Sequence, residues 1–441
     1  MLVINILRNN ILFVILLVLS EFSSYCLADE PILSKLSFHD ATILFLQNNK
    51  ELALAKRGVE GAEADKLSAN QKPNPNLTLG TRNFSFSHNG NRNPSNGSNS
   101  FNDQTLDNTV QISQLFERGD KRAIRTAAAE HEIKAAKFDY KDTLRQQKLA
   151  LESAYYDLVL AQESEKIQQE TVDLYQKSLR AAELRLKAGD ISSSDVARIR
   201  VDFLRSQNDL RQAVANHQVA QSTLAYIIGK ESVANQIMAS DAFPSIDAAN
   251  TLKSADVDEN VLNSRPDLLA ADARTQQAEE NRKLAEALKT RDIQFGLQYE
   301  RYPGQGPGDS LNTFGATVTI PLFTNYQYQG EIAKAEAMVN TAQDTKDQTK
   351  SQAIGEIANA EAALDSAMER VRRYDEQMLN EAKKSADSAE FAYEHGAINV
   401  TDLLDSRRVL RAIQLDALTA RDDFAKSLAT WRAAIQNEDT P

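Results

Sequence analysis

The second half of this chain repeats the first. Adding 207 to Leu115, Phe116, Ser178, Glu183, Gly189, Ile191, Asp195 and Arg200 gives Leu322, Phe323, Ser385, Glu390, Gly396, Ile398, Asp402 and Arg407. Adding 216 instead carries Leu52 and Leu77 onto Leu268 and Ile293, so the first half is longer between the two sets by 9 residues, 216 less 207. A period this long lies outside the range of solenoid repeats and marks a duplicated two-part unit. Each half holds one pair of strand-like segments between very long breaker-free stretches. Neither half supplies enough strands to close a sheet, so the chain must assemble.

The breakers define those stretches. Ten prolines fall at 31, 73, 75, 94, 244, 266, 303, 307, 321 and 441, which leaves two gaps of more than a hundred residues. Residues 120–188, 190–228 and 397–440 contain neither proline nor glycine. Both residues are costly inside helices, so these stretches read as uninterrupted helix. The first would extend for about 100 Å at about 1.5 Å per residue. Leu144, Leu151 and Leu158 recur at heptad spacing, the mark of a supercoiling contact stripe. With only 7% aromatic residues, the chain reads as a rod.

The first 28 residues read as an address. Arg8 precedes the apolar run from Ile11 to Leu19. Nine residues are too few to cross a bilayer, which needs about 20, but they suit a secretory signal. Cleavage after Ala28 removes Cys26, the only cysteine; a lipoprotein signal would instead cut before Cys26 and acylate it. The formal charge of -12 argues against a nucleic-acid partner.

Four segments alternate at the strand period. Ile293, Phe295, Leu297 and Tyr299 face one way, with Gln294, Gly296, Gln298 and Glu300 opposite. Phe314, Ala316, Val318 and Ile320 alternate with Gly315, Thr317 and Thr319. In the first half Leu106, Val110 and Ile112 alternate likewise. Their partner, from Leu77 to about His88, changes parity between Leu79 and Phe84, which implies a bulge. A Ser-, Asn- and Gly-rich loop from His88 to Asn102 joins the first pair, and Pro303 to Gly308 joins the second. Taken alone, the alternation also fits a soluble sheet with one face on a core. A secretory signal, only four strands and no segment to cover the apolar faces favour a transmembrane barrel with a wet lumen. Bilayers admit only closed barrels, and these begin at about eight strands; three copies of four would give a rotationally symmetric channel.

The long helices must reverse twice, at Gly189 to Asp195 and at Gly396 to Asp402. Each turn puts glycine at a helix end and a polar N-cap before the next helix. Here the chain resembles the TolC family of outer-membrane efflux channels, over nearly all of the mature sequence. The glycine-to-aspartate spacing, present twice and followed by a Leu/Val-rich helix, is similar to that family's periplasmic helix tips. Asn263 to Leu268 resembles its Asn-Arg-Pro-Asp-Leu stretch. Lys72 to Pro75, Gly119 to Arg125, and Pro321 to Phe323 with Gln329 to Ile332 look like the cobalt–zinc–cadmium branch.

The resemblance implies a fold class of α-helices with membrane β: a four-stranded share of a trimeric 12-stranded barrel, continued by a long α-helical periplasmic tunnel. Its domains would be a signal at 1–28, a first repeat at 29–260 and a second at 261–441. Within the first lie a hairpin at about 77–116, helices at 119–228 and an equatorial segment at 229–260. The second holds a hairpin at about 293–323 and helices at 328–437. The implied setting is the outer membrane of a Gram-negative bacterium, reaching into the periplasm. Implied partners are two further copies, outer-membrane lipid, a periplasmic adaptor protein and an inner-membrane pump of the resistance–nodulation–division type. Asp195, Arg198, Asp402 and Asp405 become the candidate periplasmic gate, with Arg198 standing where the second copy has Asp405. Gly189, Ile191, Gly396 and Ile398 become the adaptor-docking tips. Ile293, Phe295, Leu297, Tyr299, Phe314, Val318 and Ile320 become the lipid-facing strand residues. Acids at a mouth would attract cations and repel one another, and Arg198 could hold the mouth closed against a carboxylate. Asp402 and Asp405 equally suit ordinary first-turn helix acids.

No catalytic constellation is visible. His39, His88, His131, His217 and His395 are scattered without paired spacing, and no glycine loop cradles a phosphate. The expectation is therefore no enzyme, no cofactor and no bound metal, and the resemblance implies a passive exit duct with heavy-metal cations as cargo. The alternatives are a multidrug or polypeptide duct, or a trimeric coiled-coil surface protein.

Overall fold

The computed structural model describes residues 33–82, 107–247, 249, 259–301 and 312–435. The signal with Cys26, Phe84 and Phe86 with the expected bulge, the loop from His88 to Asn102, Leu106, and the loop from Pro303 to Gly308 lie outside the described residues. So do residues 250–258 of the equatorial segment. Contacts divide the chain into two compact units, one of residues 1–48, 154–243 and 379–422, the other of 49–153, 244–378 and 423–441. Each unit draws on both sequence halves.

Helices dominate. In chain order they are α1 (Phe38–Asn48), α2 (Lys50–Ala69), α3 (Lys121–Ala188), α4 (Ser193–Ile227), α5 (Glu259–Asn263), α6 (Pro266–Ala287), α7 (Gln329–Arg373), α8 (Leu379–Glu394) and α9 (Val400–Ile435). The breaker-free reading of α3 holds for all 68 residues, about 100 Å of helix. Leu151 and Leu158 of its heptad stripe are fully buried and Leu144 is half-buried. Between α7 and α8 the helix widens into a π segment at Tyr374–Met378, which neither glycine nor proline announces. Among the described residues no helix is long and apolar enough to cross a membrane.

The first unit has Leu36, Phe45, Tyr155, Leu158, Leu224, Ile228 and Ile237 at its core. Polar side chains fasten the segment after α4 to it. Tyr155 Oη donates to the Leu36 carbonyl at 2.9 Å and accepts from the Asp241 amide at 3.2 Å; burial pushes its pKa up to about 12. Gln162 both donates to and accepts from the Ala239 backbone. Gly229 sits at φ +66, where a Cβ would meet Asn48 Cβ at 2.7 Å, so only glycine fits.

In the second unit Arg265, just 2% exposed, is the polar centre. Its guanidinium bonds Asp267 and Glu356, each at 2.7 Å, and the Ala434 carbonyl at 3.3 Å. It thereby ties the start of α6 to α7 and to the end of α9. Burial alone would raise the pKa of Asp267, but the hydrogen bond and charge of Arg265 outweigh this and hold it below the usual carboxylate range.

This unit also contains the sheet. Its strands β1 (Asn76–Arg82), β2 (Asp107–Phe116), β3 (Ile293–Arg301) and β4 (Asn312–Thr319) follow in sequence order, every pair antiparallel. The central β2–β3 pair joins the hairpin of one half to that of the other. β1 and β4 are edges. Ile320 lies one residue past the end of β4.

Candidate functional site

Register sorts the sheet into apolar and polar rows. Leu77, Ile112, Leu297 and Ala316 form one apolar row, and Leu79, Val110, Tyr299 and Phe314 another. Phe295 pairs with Val318, and Phe116 pairs with Ile293. This face is bare: Leu79 is 70% exposed, Leu297 65% and Phe314 84%. The other face is polar and crowded. Thr109 and Ser113 are buried on it, Gln294 Nε2 donates to Ser113 Oγ at 2.9 Å, and a Cβ on Gly296 would meet Thr317 Oγ1 at 2.5 Å. A soluble sheet does the reverse. Covering a Leu or Phe side chain is worth about 1.5–3 kcal/mol, so a whole face left in water would cost many times that. Among the described residues nothing covers this face, the arrangement a lipid-facing sheet requires. All of the expected lipid-facing residues Ile293, Phe295, Leu297, Tyr299, Phe314 and Val318 share this face by register, and Ile320 continues it.

The two helix turns lie in the first unit and are closed by the same chemistry. At the first, Gly189 has φ +86; its amide donates to Leu186 O at 3.0 Å and that of Asp190 to Arg185 O at 2.9 Å. At the second, Gly396 has φ +71, with Gly396 to Tyr393 O at 3.1 Å and Ala397 to Ala392 O at 2.8 Å. Both are Schellman caps, which require a left-handed residue after the helix. The following helices start alike. Ser192 Oγ accepts from the Asp195 amide at 3.2 Å, and Asn399 Oδ1 from the Asp402 amide at 3.0 Å. Behind the turns an apolar cluster of Tyr175, Ala182, Val196, Ile199, Val400 and Leu404 gathers, with Ile191 packed against it. Ile398 is half-buried.

The candidate gate residues are placed less evenly. Asp195 completes a capping box with Ser192, and Asp405 pairs with Arg408 at 2.9 Å. Within one chain Arg198 donates to Thr401 Oγ1 at 2.7 Å. The ion pairs that sequence reading missed lie just behind. Glu183–Arg200 and Glu390–Arg407, each at 2.7 Å, are the same pair 207 residues apart. Arg408 also grips Asp202 through both carboxylate oxygens at 2.8 Å, and that hydrogen-bonded carboxylate holds the Arg408 pKa above its ordinary value. The repeat offset could have revealed the first two pairs. The third has no counterpart. Among the described residues no group of three or more His, Cys, Asp and Glu side chains is placed to hold a metal ion.

The family model for outer membrane efflux proteins matches residues 44–230 and 258–436. The chain belongs to that family. It is similar to the cobalt-zinc-cadmium resistance protein CzcC of Cupriavidus metallidurans, 21% identical over 375 residues that make up 85% of this chain and 84% of the relative. Among solved structures, that of CusC superposes with a TM-score of 0.75 at 18% identity, covering 94% of this chain and 95% of the other. The Campylobacter jejuni CmeC outer membrane channel gives 0.74 at 18% identity, covering 90% and 85%. VceC of Vibrio cholerae gives 0.71 at 19%, covering 90% and 95%. The fold class read from the sequence is therefore shown: strands for a shared transmembrane barrel joined to a long α-helical tunnel, in a chain of the Gram-negative outer membrane that extends into the periplasm. The family is one of channels, and the alternative of a coiled-coil surface protein falls away.

Proposed function

We propose that three copies of this efflux protein form a passive exit duct for heavy-metal cations, fed by an inner-membrane pump of the resistance–nodulation–division type through a periplasmic adaptor. The observation that carries it is a four-stranded sheet with one bare apolar face and two open edges. In a bilayer each unpaired edge group costs several kcal/mol, so β1 must meet β4 of another copy; three copies supply 12 strands, above the minimum for a closed barrel. In this reading the bare sheet face meets lipid. The signal at 1–28 and the repeats at 29–260 and 261–441 belong to the same proposal.

The metal cargo is supported by the likeness to a protein named for cobalt, zinc and cadmium resistance. A duct need not hold its cargo, so no ligand cluster is demanded of it. The turns at Gly189, Ile191, Gly396 and Ile398 would receive the adaptor. Asp195, Arg198, Asp402 and Asp405 would form the gate, Arg198 and Asp405 placing a base and an acid at equivalent positions of the two repeats.

Growth of a strain lacking the protein on cobalt, zinc, cadmium, copper and silver, beside dyes and detergents, tests the cargo. Sensitivity confined to metals is expected. Sensitivity to dyes and detergents alone would make it a multidrug duct.

A further inference from the structure

The apolar sheet face ends, on the side where the strands join the helices, in a belt of aromatic and cationic side chains. Phe116 and Ile293 form the last rung of the β2–β3 pair. Two residues beyond them on either strand come Arg118 and Arg291, both exposed. Arg291 stacks over the Phe323 ring at 5.5 Å, and Phe323 leads edge-to-face into Tyr328 at 5.2 Å. Leu322, 73% exposed, and Tyr326, 50% exposed, continue the uncovered surface past Ile320.

The charge here runs against the rest of the molecule. Residues 117–125 and 289–292 together hold six cations and three acids, in a chain whose net charge is -12. Two of the three acids are spent internally. Asp292 accepts from Lys121 Nζ at 2.8 Å and from the Arg118 amide at 2.9 Å, and Glu117 is paired with Arg125 at 3.0 Å. Only Asp120 remains in these two segments. Arg118, Arg122, Lys289 and Arg291 are exposed and make no described ion pair. They therefore present positive charge outward, immediately below a bare apolar band.

We propose that this belt binds the headgroups of anionic phospholipids in the periplasm-facing leaflet. It rests on the lipid-facing reading of the sheet but not on the cargo, so the growth test and the experiment below fail independently. Aromatic girdles mark the boundary between acyl chains and headgroups in membrane barrels, tyrosine suiting it through its polar tip, and clustered Arg and Lys beside a membrane surface select anionic lipid. The belt is continuous with the apolar face, so a lipid whose tails cover Phe116 and Leu322 brings its phosphate to Arg118 and Arg291. Arginine offers that phosphate two parallel donors.

The test uses the full-length protein in neutral detergent, titrated with phosphatidylglycerol, with phosphatidylcholine and with inorganic phosphate, and read by native mass spectrometry. Phosphatidylglycerol should bind at least about 10-fold more tightly than phosphatidylcholine at low salt. The Arg118→Gln/Arg291→Gln double variant should lose about 30-fold in phosphatidylglycerol affinity, near fivefold for each charge removed, and leave phosphatidylcholine binding unchanged. Should the double variant not assemble, Lys289→Gln on the exposed surface should still lose about fivefold. Equal binding of the two lipids, or full affinity in the variants, would overturn the proposal. Displacement of the lipid by millimolar inorganic phosphate would assign a free-anion site instead and overturn it as well.

Discussion

The two helix turns are copies of one backbone design carrying different side-chain chemistry. Gly189 and Gly396 make the same caps, Ser192 and Asn399 the same N-terminal bonds, and Arg200 and Arg407 the same pairs with Glu183 and Glu390. One step further out the copies part. The repeat sets Asp202 and Arg408 opposite Val409 and Val201, which are 55% and 63% exposed. It also sets Arg198 against Asp405. Where the chain must reverse, geometry leaves few choices and duplication is kept. Where side chains only have to find partners, the two copies diverged, so any charge-dependent function of the tips is built from unequal halves.

The largest effect should come from the unequal pair. The Asp202 side chain is 5% exposed and that of Arg408 48%. Arg408→Val strands a buried carboxylate and should cost about 3 kcal/mol, seen as faster amide exchange across α4 and α9. Asp202→Val leaves only a half-exposed guanidinium and should cost less than about 1 kcal/mol. The double variant, which copies the valine pair of the other repeat, should recover to within about 1 kcal/mol of the parent. If the single Arg408→Val change is silent, the asymmetry has no energetic content.

The glycines should behave as equals. Neither Gly189 nor Gly396 has any atom within 4 Å of an added Cβ, so alanine pays only for its left-handed backbone, about 1 kcal/mol at each turn. Unequal losses in thermal melts would mean that the two turns differ in more than charge. The N-caps come next. Ser192→Ala and Asn399→Ala should each cost about 1 kcal/mol, with Ser192 a few tenths worse because its hydroxyl also donates to Asp195 Oδ2 at 2.8 Å; exchange rates at the first turns of α4 and α9 read this directly.

Smallest in stability is Arg198→Glu, an exposed change expected within about 0.5 kcal/mol. Its effect should appear in function: loss of the bond to Thr401 and a second acid at the mouth should raise single-channel conductance and cation preference. Unchanged conductance would remove Arg198 from the gate.

Much of the fold was legible in the sequence. Absence of breakers fixed α3, because only glycine and proline carry a large penalty inside a helix. Strict alternation fixed β3 and β4, because a strand turns every second side chain to the same face. The repeat offset located both turns. The candidate site was half legible: Gly189 and Gly396 stood out because their backbone conformation demands glycine, whereas Asp202–Arg408 did not, since long-range ion pairs leave no periodic trace.

The sequence by itself determined periodicity, duplication and the helix ends, all of which follow from local backbone preference. Tertiary structure alone decided which face of the sheet stays bare, since alternation reads the same for a covered and an uncovered face. It also placed the π segment at Tyr374–Met378, gathered Arg118, Arg291 and Phe323 from separate segments, and set Arg198 beside Thr401. Each of these depends on which distant residues share space, and spacing along a chain does not encode that.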